Sequence, residues 1–364
     1  NNIKLRNDPV IITAHIKGHN KIWKILARPY FPERPNEVFP ITTLSQALEK
    51  HPYLIKTAKP NSLLIKKGTW IIEHPLIIPK GFSLTIPKNT TLQFRSNSAL
   101  ILKGALTIEG TKDNPVLLTG VNDTSHQNNS WLGIAVQNTN LTSTWSHVII
   151  KNITGVNIND WNLSGGVNFY KAPIQMNDVS INGSKSEDAL NIVRSTFNLD
   201  SIKIRNTASD AFDSDFSTGT VKNSTFENIG HLNGGDGIDI SGSNIVVKNT
   251  TFKNISDKAL SVGEKSRMNA SDILIYNVGI AAVSKDGSVL TLDNIKIKLA
   301  KKAGLMAYIK KPEYGPATIE ARNIQMESVF PLAIAQKRSH ININGSNVKE
   351  TNLNLKDLYA TQKK

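Results

Sequence analysis

Asp213, Asp215, Asp239 and Glu264 stand at matched places in successive stretches of the chain, edged by Arg194, Lys258, Lys265 and Lys285. In Asp236-Gly-Ile-Asp239-Ile-Ser241, apolar Ile238 and Ile240 alternate with Gly237, Asp239 and Ser241, so the second set points away from a core. The stretch before it offers Ala211, Asp213 and Asp215 around Phe212, and the one before that Asn191 and Arg194. The stretches after it offer Ser261, Gly263 and Glu264 beside Lys258, then Ser284, Lys285 and Asp286. Stacked strands lie about 4.8 Å apart and alternate residues about 6.7 Å, which would gather the carboxylates into one patch. Such a patch needs compensation: a bound cation such as Ca²⁺, a shared proton with a raised pKa, or salt bridges to the neighbouring Lys and Arg. The expected cation ligands are Asp213, Asp215 and Asp239, and no organic cofactor is expected. Small residues at Ala211, Gly237 and Ala259 would keep the face open as a groove. The alternative is a charged ladder on a solvated surface.

The elements that must hold these residues follow from an internal repeat. Phe226 and Phe252 lie 26 residues apart, as do Asn228 and Asn254, Asp210 and Asp236, and Asp213 and Asp239. From Ile204 to Phe226 and from Asp239 to Ser261 the step is 22. A period of roughly 20–30 residues built from short β-patterned runs marks a stacked solenoid. The four extra residues fall around His231-Leu-Asn-Gly234. The fold class expected is all-β, a parallel β-helix with an N-terminal capping region. Asn152, Asn177, Asn206, Asn228, Asn254 and Asn277 recur once per coil, where Asn tolerates left-handed backbone and can hydrogen-bond along a stack.

Three regions are expected. Residues 1–61 hold two alternating strands, Val10–Ile16 and Lys21–Ala27, a proline-marked connector, and a short helix opened by the capping box Thr43-Leu-Ser-Gln46. Residues 62–350 form the β-helix, and residues 351–364 a C-terminal cap and tail. Between Val121 and Gly166 the repeat blurs, and Trp131, Trp145 and Trp161 there are either sugar-stacking platforms or packing under long loops.

At 364 residues and 39% hydrophobic content the chain can bury a large core. It has no Cys, which excludes disulfides, thiolate metal sites and a Cys nucleophile. No apolar run approaches the roughly 18–20 residues that span a bilayer. The net charge of +14 favours a polyanionic partner. No nucleic-acid-binding module is recognisable, and Lys296, Lys298, Lys301 and Lys302 are expected to form a solvated edge. The chain starts at Asn1 and not at Met, which fits a removed leader and an extracytoplasmic location.

The run GTW…LIIPKGFSLTIPKNTTLQF…LILKGALTIEGTKDNPVLLTG…SWLGIAV resembles the entry coils of right-handed parallel β-helix proteins of the pectate-lyase-like superfamily, and the resemblance covers about Thr42 to Asn347. It implies a polysaccharide substrate. Polygalacturonases carry an Asn-Thr-Asp, Asp-Asp, Gly-His-Gly, Arg-Ile-Lys series on successive coils. The layout here is similar: Ala208-Ser-Asp210, Gly235-Asp236-Gly237, Asp257-Lys258-Ala259 and Tyr308-Ile-Lys310. Gly237 replaces the second Asp of the pair and Lys258 the His, so hydrolysis would need Asp213 with Asp239 in a changed geometry. β-Elimination fits the residue types better: a cation or Arg194 neutralises a uronate carboxylate and Lys258 or Lys285 removes the C5 proton, with Asp239 in the same cluster. C5 epimerases share that first half, although the Asp-Pro-His-Asp signature of mannuronan epimerases is absent. Substrate contacts are expected from Asn191, Asp210, Asp236, Ser241, Glu264, Lys265, Tyr308 and Lys310. The expectation is therefore a β-helix protein acting on an acidic polysaccharide by elimination or epimerisation. The alternatives are an altered hydrolase and a non-catalytic polysaccharide-binding scaffold.

Overall fold

The computed structural model describes residues 11–15, 21–26, 40–122, 129–158, 161–232 and 234–354. Ile11–His15 and Ile22–Leu26 form an antiparallel hairpin, with Ile11 opposite Leu26, in a unit of their own. The turn expected around Gly18 and the proline connector lie outside the described residues.

The second unit starts at Pro40. The capping box forms as expected: the Thr43 side chain accepts from the Gln46 N–H at 3.3 Å, and Gln46 Oε1 accepts from the Thr43 N–H at 3.0 Å. The helix Leu44–Lys50 that follows buries Ala47 against the same core as Tyr53, Leu54 and Leu63. Leu54–Lys56 then pairs antiparallel with Ser62–Ile65 and covers the first edge of the stack.

From Ser62 onward the chain winds as a right-handed parallel β-helix of about 12 turns. Each full coil contributes one strand to each of three sheets. The first runs from Ser62–Ile65 to His340–Ile343, the second from Gly68–Ile72 through Thr225–Ile229, and the third from Leu76–Ile77 through Asp210–Asp215 and Ile238–Ser241. Phe226 pairs with Phe252 and Asp213 with Asp239, while Ile204 pairs with Phe226 and Asp239 with Ser261. The 26- and 22-residue steps are thus single coils.

Alternation sends one apolar residue in two inward, and like residues meet along the axis. Phe226 and Phe252 stack with ring centroids 5.0 Å apart and planes 6° from parallel. Trp131 and Trp145 belong to this core. Their indole N–H groups donate to the carbonyls of Lys151 at 2.8 Å and Leu106 at 3.1 Å, which makes both tryptophans packing residues.

The corners are held by polar ladders. Asn206, Asn228, Asn254 and Asn277 take φ of 54 to 58°. Each donates to the coil before it: Asn206 to Asn182 (2.8 Å), Asn228 to Asn206 (3.1 Å), Asn254 to Asn228 (2.9 Å) and Asn277 to Asn254 (2.7 Å). Asn177 is not part of that column; it lies on a first-sheet strand opposite Asp200. A serine column, which the sequence reading passed over, secures another corner. The N–H groups of Ser195, Ser217, Ser243 and Ser266 donate to the Oγ atoms of Ser217, Ser243, Ser266 and Ser288 at 2.9–3.1 Å.

One expectation changes. A Cβ on Gly237 would lie 2.7 Å from the buried Phe252 ring, and Ala211 and Ala259 are wholly buried. Small residues there let the corner turn tightly over the core and do not open a groove. The C-terminal segment, described as far as Asn354, adds the short strand Glu350–Thr351 to the third sheet. Its Leu353 packs on Ile280, Val283, Met306 and Tyr308, a second apolar cluster separate from the core.

Asn254→Ala puts a Cβ residue at φ 56° and cuts the ladder on both sides, so it should lower stability by about 1–3 kcal/mol. Asn254→Gly loses the same hydrogen bonds without backbone strain and should lose less. Equal denaturation midpoints for the two variants would mean that backbone geometry is not what this column selects.

Candidate functional site

The outer face of the third sheet gathers the charged residues. Pairing places Asn168, Asn191, Asp213, Asp239 and Ser261 in one column, and Tyr170, Val193, Asp215, Ser241 and Gly263 in the next. At two successive entries to this sheet, an acidic side chain serves a backbone group of the following coil. Asp210 Oδ1 accepts from the Asp236 N–H at 2.8 Å, and Asp236 Oδ1 from the Lys258 N–H at 2.9 Å. The motif Asp-x-x-Asn/Asp therefore repeats at Asp188–Asn191, Asp210–Asp213 and Asp236–Asp239. The sequence reading missed Asp188, although this three-residue offset could have found it.

Counter-charge comes from lysines. The buried Lys258 ammonium lies 3.2 and 3.3 Å from the two Asp236 oxygens and also contacts Asp257. Burial alone would lower its pKa, but Asp236 and Asp257 outweigh that and push it above the usual lysine value. A lysine so held is biased toward its charged form, the state of a counter-ion. Lys285 reaches back two coils, donating to Ser261 Oγ at 2.9 Å and lying 3.4 Å from Asp239 Oδ1. Lys310 lies two residues past Tyr308, the end of a third-sheet strand, and the N–H groups of Lys310 and Lys311 both donate at 2.6 Å to the buried carboxylate of Asp286. Burial, Lys285 and Lys258 lower the Lys310 pKa against the opposing pull of Asp239.

The carboxylates are pushed the other way. Burial, with Asp188, Asp215 and Asp239 nearby, raises Asp213 well above the carboxylate range. Burial and the charge of Asp236 lift Asp210 to about 9, and burial lifts Asp188 to about 6 against hydrogen bonds from Ser164 and Asn191. Asp215 is raised by burial, Glu264 and Asp239. Burial pushes Glu264 up, but its hydrogen bonds with Lys311 and Ser241 and the charges of Lys311 and Lys285 together hold it below the usual value. Asn191 Nδ2 sits between Asp188 Oδ2 (2.9 Å) and Asp213 Oδ2 (3.2 Å) and ties two coils together.

Beside Asp213 and Asp215 opens a recess of 420 Å³, walled by Gln137, Tyr170, Asn191 and Trp161. Trp161 is carried by a short antiparallel insertion, Asn157–Ile158 with Trp161–Asn162. Of the three tryptophans in the blurred segment, it is the one placed at this recess. Arg194 lies on the rim with its guanidinium 4.7 Å from the Phe216 ring centroid. Lys265 is exposed, 6.0 Å from the Tyr314 ring, and Ser241 shares a hydrogen bond with Glu264. Tyr308 must be corrected as a substrate contact: it is 0% exposed within the cluster of Ile280, Val283 and Met306.

Among the described residues, the carboxylates that could share a cation are Asp210, Asp236 and Asp239, with ligand oxygens within 4.8 Å of one another. The expected trio of Asp213, Asp215 and Asp239 does not form that group. Ca²⁺ takes 6–8 oxygen ligands, whereas Asp236 here is already engaged by the Lys258 ammonium at 3.2 Å. This donor set suits an ammonium better than a calcium ion.

No protein-family model matches the chain, and no curated protein matches it. Among solved structures it is similar to the catalytic domain of Agl-KA, at 14% identity over 77% of this chain and 62% of that one, with a TM-score of 0.45. It is also similar to a mutant of the periplasmic alginate epimerase AlgG, at 11% identity over 82% of each chain and a TM-score of 0.43. A third is the catalytic domain of a GH87 α-1,3-glucanase, at 11% identity over 72% of this chain and 63% of that one, with a TM-score of 0.38. The chain thus spans less than two thirds of the length of the Agl-KA and glucanase domains. Similarity at this level concerns the fold alone.

The raised carboxylates set the sign of a pH effect. Between 3.8 and about 9 the folded state holds a proton on Asp210 that the unfolded chain has released, so stability falls as pH rises through that window. Asp210→Asn should raise the Tm at about pH 8 and leave it unchanged at about pH 4. Lys258→Met leaves Asp236 and Asp257 buried without their counter-ion and should cost about 3–5 kcal/mol at neutral pH. A Lys258→Met protein as stable as the parent would show that these carboxylates need no ammonium.

Proposed function

We propose that the third-sheet cleft acts on an acidic polysaccharide by taking the C5 proton of a uronic acid unit, with β-elimination as the outcome. The supporting observation is that Lys285 lies 3.4 Å from Asp239, which stands one coil beyond Asp213 and its aromatic-walled recess. Environments that push the pKa values of neighbouring groups in opposite directions mark acid and base. Burial and acidic neighbours raise Asp213, while burial with Lys285 and Lys258 lowers Lys310, so these two are the acid and base candidates of this reading.

In the step itself Lys310 Nζ takes the C5 hydrogen as a proton. The C–H electron pair forms the C4=C5 double bond, the C4–O bond breaks, and the leaving oxygen takes the Asp213 proton. Lys285 faces the carboxylate whose charge grows as C5 loses its proton. C5 epimerisation shares the first half and differs in returning a proton to the opposite face. No helix among the described residues is long and apolar enough to cross a membrane, and an extracytoplasmic setting suits a polymeric substrate.

A second reading rests on the pairing of Asp213 with Asp239 across adjacent coils. A protonated Asp213 and an Asp239 beside Lys285 form an acid and a base for hydrolysis. Incubation with pectate, alginate and their carboxyl-reduced forms separates the two. Elimination gives the ultraviolet absorbance of a new C4=C5 double bond, and hydrolysis gives reducing ends without it. Binding with neither product would sink both readings in favour of a scaffold.

Under the eliminative reading Lys310→Ala and Asp213→Asn should each lower turnover by about 10²–10⁴-fold, the usual contribution of a proton-transfer group, with the Tm of Lys310→Ala nearly unchanged and that of Asp213→Asn raised at neutral pH, as for Asp210→Asn. Trp161→Ala should chiefly raise KM, by about tenfold for a lost stacking contact. A Tm that does not differ between Ca²⁺ and a chelator is expected if ammonium groups supply the positive charge. A rise of several degrees with Ca²⁺ would return the metal to the site.

A further inference from the structure

The rim of the recess carries a device that the reaction above does not use. At the corner where each coil leaves the third sheet, Lys171, Arg194, Phe216 and Gly242 follow one another coil by coil, joined by backbone hydrogen bonds. All four have left-handed backbone, with φ of 48, 52, 50 and 59°. Such geometry is ordinary for Gly and Asn but uncommon for Phe, Arg and Lys, and it persists only where the surroundings hold it. Phe216 is also 57% exposed, so burial of its ring does not account for its presence.

The neighbours give the ring a task. On one side the Arg194 guanidinium lies over it, 4.7 Å from the centroid. On the other side is bare Gly242, where an added Cβ would stand 2.7 Å from the ring. Phe216 is therefore held between a coil with no side chain and a coil with a cation. Among the described residues Arg194 has no carboxylate within salt-bridge distance. A guanidinium held over an aromatic ring can offer its N–H groups to a planar anion and loses less entropy on binding than a mobile arginine. One coil back, Lys171 Nζ lies 5.4 Å over the ring of Tyr170, which itself walls the recess. Two cations are thus mounted on aromatic rings along one edge of the cleft.

We infer that Arg194, positioned by Phe216 and supported by Lys171, binds the carboxylate of a uronic acid unit next to the one that reacts. Phe216 and Gly242 are positioning residues, and the subsite selects a polymer charged on consecutive units over one bearing isolated charges. The inference rests on the acidic-polysaccharide reading of the cleft and adds a determinant of specificity to it.

The test is equilibrium binding of fluorescent tri- and hexauronates from pectate and alginate, and of their carboxyl-reduced counterparts, with the Tm measured in parallel. Arg194→Gln should weaken oligouronate binding by about tenfold or more, the scale of a charge-assisted pair, and leave the carboxyl-reduced oligomers unaffected. Phe216→Gly relieves the left-handed strain, so the Tm should hold or rise while oligouronate affinity falls several-fold. Gly242→Ala should displace the ring and weaken binding in the same direction, and Phe216→Tyr should restore it. Oligouronate affinity unchanged in Arg194→Gln, or affinity lost in Phe216→Gly only in step with lost stability, overturns the inference while leaving the cleft's substrate class intact. A parent protein that binds the reduced oligomers as well as the uronates overturns the acidic-polysaccharide reading and this subsite with it.

Discussion

In a parallel solenoid every outward residue meets its counterpart one coil away at about 4.8 Å, so the stack repeats whatever a corner or column presents. Groups that both donate and accept gain from this. The Asn206–Asn228–Asn254–Asn277 ladder and the Ser195–Ser288 column turn repetition into continuous hydrogen bonding. Groups of one charge lose by it. Asp188 and Asp210, and Asp213 and Asp239, are brought together by the same register that stacks Phe226 on Phe252. The ionisation of the groups on this face follows from how that repulsion is relieved.

Relief comes in two ways, and they divide the cleft. Toward the later coils lysines supply positive charge: Lys258 for Asp236 and Asp257, Lys285 for Asp239, and Lys311 for Glu264. Toward the earlier coils Asn191 links Asp188 and Asp213, and burial raises both carboxyls. Raised carboxyls and a cluster of ammonium groups are thereby set along one face. Lys310 adds a lysine whose crowding by Lys285 and Lys258 disfavours its charged form. Burial of the acidic corner, ordinarily a destabilising feature, is what gives the cleft groups of unusual ionisation.

The cleft is bounded by departures from the repeat. The Trp161 insertion walls it at the earlier coils. At the later ones Leu353, from the C-terminal segment, covers Val283, Met306 and Tyr308, so the third sheet turns from polar to apolar within two coils of Asp239. Functional variety on a repetitive scaffold tends to sit in such insertions, because the coils themselves are fixed by their neighbours.

The sequence alone determined the coil length, the inward residues and the column that Asp213, Asp239 and Ser261 share, because strand alternation and stacking are periodic and a period is visible in one dimension. It also held the Asp-x-x-Asn/Asp offset that reveals Asp188. Tertiary structure decided what each charge is paired with. Lys258 and Lys285 looked equivalent in the repeat, yet one is enclosed by two aspartates and the other crosses two coils to Asp239. Trp161 was indistinguishable from Trp131 until an insertion set it beside the recess, and Tyr308 kept its outward parity but was covered by a segment from the chain's end. Long side chains and non-repeating segments reach across coils in ways no local pattern encodes. The register that places a residue follows from periodicity; the contacts that set its charge and exposure depend on the whole fold.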